Sequence, residues 1–363
     1  MKKFILILLS MLIIPAFANE TNILPSETGV VTNVEYVDIE ENSVTQTKQI
    51  ADIDLKTGDF KGESIELDNM LTGNPYYDIK LKKGTRVLLH AEDNGSGVEY
   101  SIEDIKRSGN IYWLTLIFCG LLLYVGKLKG FYSLISIGLT VLLITHLLTP
   151  LILMGFNPVF ASMIICLLST ASTMYLVGGF NSKSSAATIG AILSIIFASF
   201  LSFLVMKMAH LTGFTGENSM YLFSAHPELD FIGIAISTMI LATLGAVMDV
   251  AMSISSTINE ILETDKTKNS KELFHSGMNV GRDIIGTMAN TLILVYMGGS
   301  LPLLLLSNNV DLQKFLNLNQ VVTEISSALI GSIAIVICVP FTAIVASILI
   351  KKASEKKDIK FNL

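Results

Sequence analysis

The chain has 363 residues, of which 51% are hydrophobic and only 15% charged. That balance excludes an ordinary soluble domain and points to a polytopic membrane protein. The formal net charge of −6 conceals a division: residues 20–107 hold 18 acidic against 9 basic side chains, a net of −9 that leaves +3 for everything else. The acidic stretch therefore reads as a separate domain. No basic stripe interleaved with aromatic residues is present, which argues against a nucleic-acid partner. Cys119, Cys166 and Cys338 all lie in apolar runs, where cysteine acts as a small hydrophobe, so neither a disulfide framework nor a thiolate metal site is expected.

Lys2 and Lys3, the apolar run Phe4 to Ile14, and Ala16-Phe17-Ala18 have the three-part form of a secretory signal. Residues 1–18 are expected to be a signal peptide cleaved after Ala18. Residues 19–109 then form an extracytoplasmic domain, in which apolar and polar residues alternate between turn signals such as Lys56-Thr57-Gly58-Asp59 and Asp93-Asn94-Gly95-Ser96-Gly97. Strands are predicted over Gly29–Val37, Gln49–Leu55, Ser64–Leu67, Tyr77–Leu81, Arg86–Ala91 and Val98–Ile105. Their number and spacing suit a small all-β barrel of the OB or SH3 kind. Its acids are scattered and do not have the grouping of calcium or zinc ligands.

Residues 110–350 contain seven runs long and apolar enough to span a bilayer. They are Ile111–Val125, Phe131–Met154, Pro158–Val177, Ala186–Met208, Phe231–Ser255, Ile284–Leu306 and Ile325–Ile350, and residues 351–363 make a basic tail. If the signal exports the β domain, the first span runs inward. Lys127 and Lys129, Lys183, the group Lys266, Lys268, Lys271 and Arg282, and the C-terminal lysines then all fall on the cytoplasmic side, as the positive-inside rule requires. Lys207 and Lys314 lie near outer ends, where a lysine can snorkel. This topology suits a bacterial inner-membrane protein with a cytoplasmic C-terminus. The outer loop contains His226, Glu228 and Asp230, whose spacing suits a solvated loop better than a metal site. Ala186, Gly190 and Ser194 repeat every four residues in the fourth span, a pattern that permits close helix packing.

The fifth and sixth spans differ from the others because each carries acids, amides and hydroxyls, which are costly in hydrocarbon. On a helix, Asp249, Ser253, Ser256 and Glu260 fall within an arc of roughly 60°, and Asn279, Asp283, Thr287 and Asn290 within roughly 80°. With the two helices antiparallel, Asp249 and Asn290 are predicted to lie level, about 9 Å inside the boundary. The stripes are expected to line a polar seam between the two helices in the cytoplasmic half of the bilayer. Arg282, beside Asp283, is expected to form a structural ion pair with it. Asp249 has no cationic partner on its own helix, so proton or cation coupling is the natural chemistry of the seam, with Asn279, Thr287 and Asn290 as neutral ligands. Catalysis is not indicated. An aspartyl dyad needs carboxylates close enough to share a proton, and the register separates Asp249 from Asp283. No Walker A loop, HExxH or nucleophile elbow occurs, and neither a cofactor nor a metal is implied.

The segments GAVMDVAMSISSTINEI and GMNVGRDIIGTMANTLILVYMGGSLP resemble the signature region of the YibE/F family of bacterial multi-pass membrane proteins. The similarity extends over most of the chain, including the exported β domain. It implies an inner-membrane protein of a kind described as a membrane protein or permease, without an assigned substrate. The leading expectation is a permease for an ion or small polar solute in the lipid bilayer. The alternative is a non-transporting membrane scaffold or sensor whose β domain binds an envelope protein.

Overall fold

The computed structural model describes residues 26–41, 44–93 and 98–361. The expected signal peptide lies outside the described residues. The chain forms two compact units that divide between Leu121 and Leu122.

The first unit contains a five-stranded antiparallel sheet. Its strands are β1 (Glu27–Glu41), β2 (Val44–Leu55), β3 (Ser64–Leu71), β4 (Arg86–Asp93) and β5 (Val98–Ile105), in the order β3-β2-β1-β4-β5. Exposed and half-buried residues alternate along all of β3, the period-2 pattern of a sheet with one face covered. The register of β1 on β2 slips between Val31 and Asn33, and such a bulge sharpens the twist of the strand. The edge strands β3 and β5 approach each other, so the sheet curls into a near-barrel. Val31, Ala51, Ile53, Leu55, Leu81, Val87 and Leu89 fill its interior. Burial of each larger aliphatic side chain contributes on the order of 1.5–3 kcal/mol.

One predicted strand is absent. Tyr77–Leu81 passes over the sheet without joining a ladder, because side chains satisfy its backbone instead. The fully buried Gln49 donates from Nε2 to the Leu81 carbonyl at 3.1 Å and accepts from the Leu81 amide at 3.0 Å. Asn69 Nδ2 donates to Gln49 Oε1 at 2.9 Å and to the Ile79 carbonyl at 2.6 Å. Two amide side chains thus do what a sixth strand would do, which leaves no buried backbone group unpaired at Leu81.

The second unit is helical. Helix α1 (Ser108–Leu143) begins before the division and contains a break at Lys127, which has φ 49° and ψ −129°. The helix is kinked there, and Gly130 lies against the Leu122 carbonyl, so closely that a side chain would not fit. The first two predicted spans are therefore joined by Lys127 without a loop. A π-helical turn, Ile144–Leu148, leads into α2 (Thr149–Leu153). Pro150 has no N–H to continue an α-helical ladder, and the Thr149 hydroxyl donates to the Ile144 carbonyl at 3.1 Å.

Helices α3 (Pro158–Gly178), α4 (Ser182–Met208), α6 (Phe231–Thr264), α7 (Ser270–Gly299) and α10 (Asn319–Phe361) make the bundle. Shorter helices α5 (Glu217–Ala225), α8 (Leu301–Leu306) and α9 (Leu312–Leu316) lie between them. Among the described residues five helices are long and apolar enough to cross a membrane, and α7 with α8 would make a sixth, bent by 67°. The bend corrects the predicted sixth span: α7 stops at Gly299, and Leu301-Pro302 starts a separate helix.

Polar residues at the helix starts fix where each begins. Asn157 accepts from the amides of Val159 and Phe160 ahead of α3, Asn181 from Ser184 ahead of α4, and Asp230 from Gly233 ahead of α6. Asn269 and Glu272 form a reciprocal capping box at the start of α7. The interior contains many hydroxyls. Thr188, Ser194, Ser202 and Ser237 each donate to the carbonyl one turn back, so these buried groups are satisfied within their own helices. Gly190 lies directly against Thr342 of α10, so the small residues of α4 serve helix packing.

Candidate functional site

Helix α10 supports both α6 and α7. On α6, the Val247 carbonyl accepts from Cys338 Sγ at 3.5 Å, and the Thr243 methyl lies beside Gly331. On α7, Gly281 lies against Val339 and Gly277 beside Ala343. These α10-facing positions are separated from the polar stripes by roughly 80–180° of helix rotation, about 130–140° on average, on both helices. Both stripes consequently point away from α10, on one outward face of the α6–α7 pair. Asp249, Ser253, Glu260, Asn279, Asp283, Thr287 and Asn290 are exposed there, and Ser256 is half-buried.

The level of each residue follows from two contacts. Ile258 of α6 meets Gly277 of α7, and further along Thr243 and Leu292 converge over Gly331. Antiparallel helices aligned by these contacts place Asp249 level with Gly286. Asn290 lies one turn, about 6 Å, further along the axis. The predicted register, which set Asp249 level with Asn290, is therefore one turn off. The predicted seam is also corrected in direction. The stripes do not face each other across the helix contact, which is filled by Ile258, Gly277, Met288 and Leu292; they flank it on the outer side.

The charges on this face are unequal. Asp249, Glu260 and Asp283 contribute three carboxylates, and Arg282 is the cation among them. The predicted Arg282–Asp283 ion pair does not form among the described residues. Arg282 Nη1 instead donates to Asn279 Oδ1 at 3.0 Å, one turn back on its own helix. Helical geometry explains the choice, because neighbours at i,i+3 meet on the surface and neighbours at i,i+1 diverge. Asp249 makes no hydrogen bond or ion pair among the described residues. The Thr287 hydroxyl donates to the Ile284 carbonyl at 3.0 Å, which leaves its oxygen free to accept.

Beyond the stripes, α6 and α7 join through a tight turn. The Asp265 carboxylate accepts from the Thr267 hydroxyl at 2.6 Å and the Thr267 amide at 3.0 Å, and these bonds hold the Asp265 carboxyl below the usual range. Lys351 Nζ reaches the Lys266 carbonyl at 2.9 Å, which ties the turn to the end of α10. In the other loop, His226 Nδ1 lies 3.2 Å from Glu228 Oε1, while Asp230 is occupied in capping α6.

One polar group was not identified from the sequence. Glu324, in the first turns of α10, borders a cavity of about 320 Å³ whose walls include Tyr296, Leu304, Phe315 and Ala328. The Ser300 hydroxyl hydrogen-bonds to it. Glu324 directly precedes the apolar run assigned as the last span, so in sequence it reads as an interfacial acid. Only the bend after Gly299 brings Ser300 and α8 over it.

Comparison with known proteins gives two family matches. Residues 114–352 match the family model described as YibE/F-like protein, and residues 25–105 match that described as YibE/F family N-terminal domain. No curated protein and no solved structure matches the chain.

Proposed function

This chain belongs to the YibE/F family, and we propose that it is a membrane permease for a cation or small polar solute, with a path along the polar face of α6 and α7. The observation that carries the reading is the convergence of two polar stripes on one outward face of a bundle built from apolar helices. Lipid cannot satisfy carboxylates, amides and hydroxyls at this depth, so the face requires water or protein against it. Three carboxylates against one guanidinium favour a cation over an anion. Asp249 is the coupling group, Asn279, Thr287 and Asn290 are neutral ligands, and Glu260 and Asp283 attract the cation to the mouth. Nothing in this scheme calls for a catalytic group or a bound cofactor.

A second copy of the chain is the natural cover. Isologous contact would bring an identical polar face opposite the first and enclose a path between them. Gly245 and Gly286, both on the outward side with no neighbouring atom within 4 Å of an added Cβ, would allow the two copies to approach closely. The lysine distribution favours an orientation with the β domain outside the cytoplasm and the Asp265–Asn269 turn inside, as in a bacterial inner membrane. The test is cation uptake into liposomes containing the purified protein, screened over protons, alkali metals and divalent ions. Uptake is expected for at least one ion. No uptake of any of them would remove the cation reading.

A further inference from the structure

The β domain carries a second feature that transport does not use. Its end nearest Ser108 in sequence gathers three cations: Lys56 follows the last residue of β2, Arg86 is the first residue of β4, and Lys106 follows the last residue of β5. Backbone pairing brings them together around β1. The Lys56 amide donates to the Thr28 carbonyl at 2.7 Å, Arg86 pairs with Val30, and the Lys106 amide donates to the Arg86 carbonyl at 2.8 Å. The three residues, with Thr28, Gly29 and Val30, line a pocket of about 320 Å³.

The charge of this pocket is opposite to that of its domain, where acids outnumber bases by 18 to 9 over residues 20–107. Asp54 lies 3.4 Å from Lys56 Nζ, at ion-pair distance from that lysine, and Arg86 and Lys106 have no ion pair among the described residues. Arg107 is excluded from the cluster because it is bound to Asp104 at 2.6 Å. Three like charges held side by side by backbone hydrogen bonds repel one another, and an anion between them relieves that repulsion. Guanidinium and ammonium donors together suit the oxygens of a phosphate group.

Chain continuity indicates the source of the anion. Lys106 is two residues before α1 and five before Ile111, where the first apolar run starts. Even fully extended, five residues reach no more than about 17 Å, so Lys106 cannot lie far from the headgroup layer that this run enters. We propose that Lys56, Arg86 and Lys106 form a binding site for a phosphate-bearing anion, the headgroup of an anionic phospholipid in the leaflet that α1 enters.

The experiment uses the full chain in a neutral detergent, titrated with dioctanoyl phosphatidylglycerol, dioctanoyl phosphatidylcholine or inorganic phosphate. Saturable binding of the phosphatidylglycerol is expected, with weaker binding of the other two. The Arg86→Gln/Lys106→Gln double variant should weaken it about 25-fold, at roughly fivefold per cation near an anionic headgroup. Lys82→Gln, an exposed lysine outside the pocket, should leave it unchanged, and circular dichroism of each variant confirms that the sheet is intact. Equal binding of both lipids, or a double variant that binds like the parent, would overturn the site. Inorganic phosphate binding as tightly as the lipid would overturn the headgroup assignment.

Discussion

Gly277 lies so close to Ile258 that a Cβ added to it would come within 2.6 Å of Ile258 Cδ1. This contact sets how far α7 approaches α6, and therefore which residues of the two polar stripes are level. Gly277→Ala must push Ile258 aside in a packed junction, at a cost of about 1–3 kcal/mol. Gly138→Ala, on α1 with no atom within 4 Å of an added Cβ, should cost no more than a few tenths and can gain from better helix propensity. Thermal unfolding of both variants in detergent checks the difference. Equal effects would mean that α6 and α7 do not pack in this register.

Arg282 and Asp283 are adjacent in sequence but directed apart, and Arg282 is bonded to Asn279. A double-mutant cycle with Arg282→Gln and Asp283→Asn should show coupling below about 0.3 kcal/mol in stability, whereas a cycle of Arg282→Gln with Asn279→Ala should show about 0.5 kcal/mol or more. The reverse order would restore the ion pair suggested by sequence.

Gln49 is buried and gives both halves of its amide to neighbours, with Leu81 bonded to each half. Gln49→Leu keeps most of the volume but leaves the amide and carbonyl of Leu81 without partners. It should destabilise the β domain by roughly 2–4 kcal/mol, from two unsatisfied buried groups. Hydrogen exchange of the full chain would show the loss first at Ile79–Leu81. Unchanged protection there would mean that this segment is held by something other than Gln49.

The turn between α6 and α7 has its own pH dependence. The Asp265 carboxyl is held below its ordinary range by the Thr267 hydroxyl and amide. A depressed folded-state value means that its contribution is fully present above the unfolded-state value and is lost as pH falls through the folded one. Exchange of the Thr267 amide should accelerate, relative to an unstructured reference, only at acid pH. In Asp265→Asn this acid step should disappear.

Much of the architecture is legible in the sequence, because hydrophobic length identifies helices and alternation identifies strands. The seven apolar runs all fall in helices, although α1 is kinked at Lys127 and α8 separates from α7 at Ser300. Tyr77–Leu81 has the alternation of a strand, and what keeps it out of the sheet is a pair of side-chain amides that no local pattern announces. The stripes themselves are also legible, since Asp249 to Glu260 and Asn279 to Asn290 recur at helical spacing. Their direction is not. Periodicity states which residues share a face, while the choice of inward or outward depends on where α10 packs, through Val339, Cys338 and Ala343 more than fifty residues away. Glu324 escaped for the same reason, because its pocket exists only when α8 folds back over α10.

A wetted outward face on α6 and α7 that carries a cation past Asp249 makes transport depend on that carboxylate. The most direct measurement is uptake by liposomes of the ion that the parent protein transports, compared with Asp249→Asn at matched insertion and unchanged circular dichroism. The variant is expected to lose at least nine-tenths of the flux, since the amide keeps the shape of the side chain and removes the charge that binds the cation. Flux equal to that of the parent would contradict it.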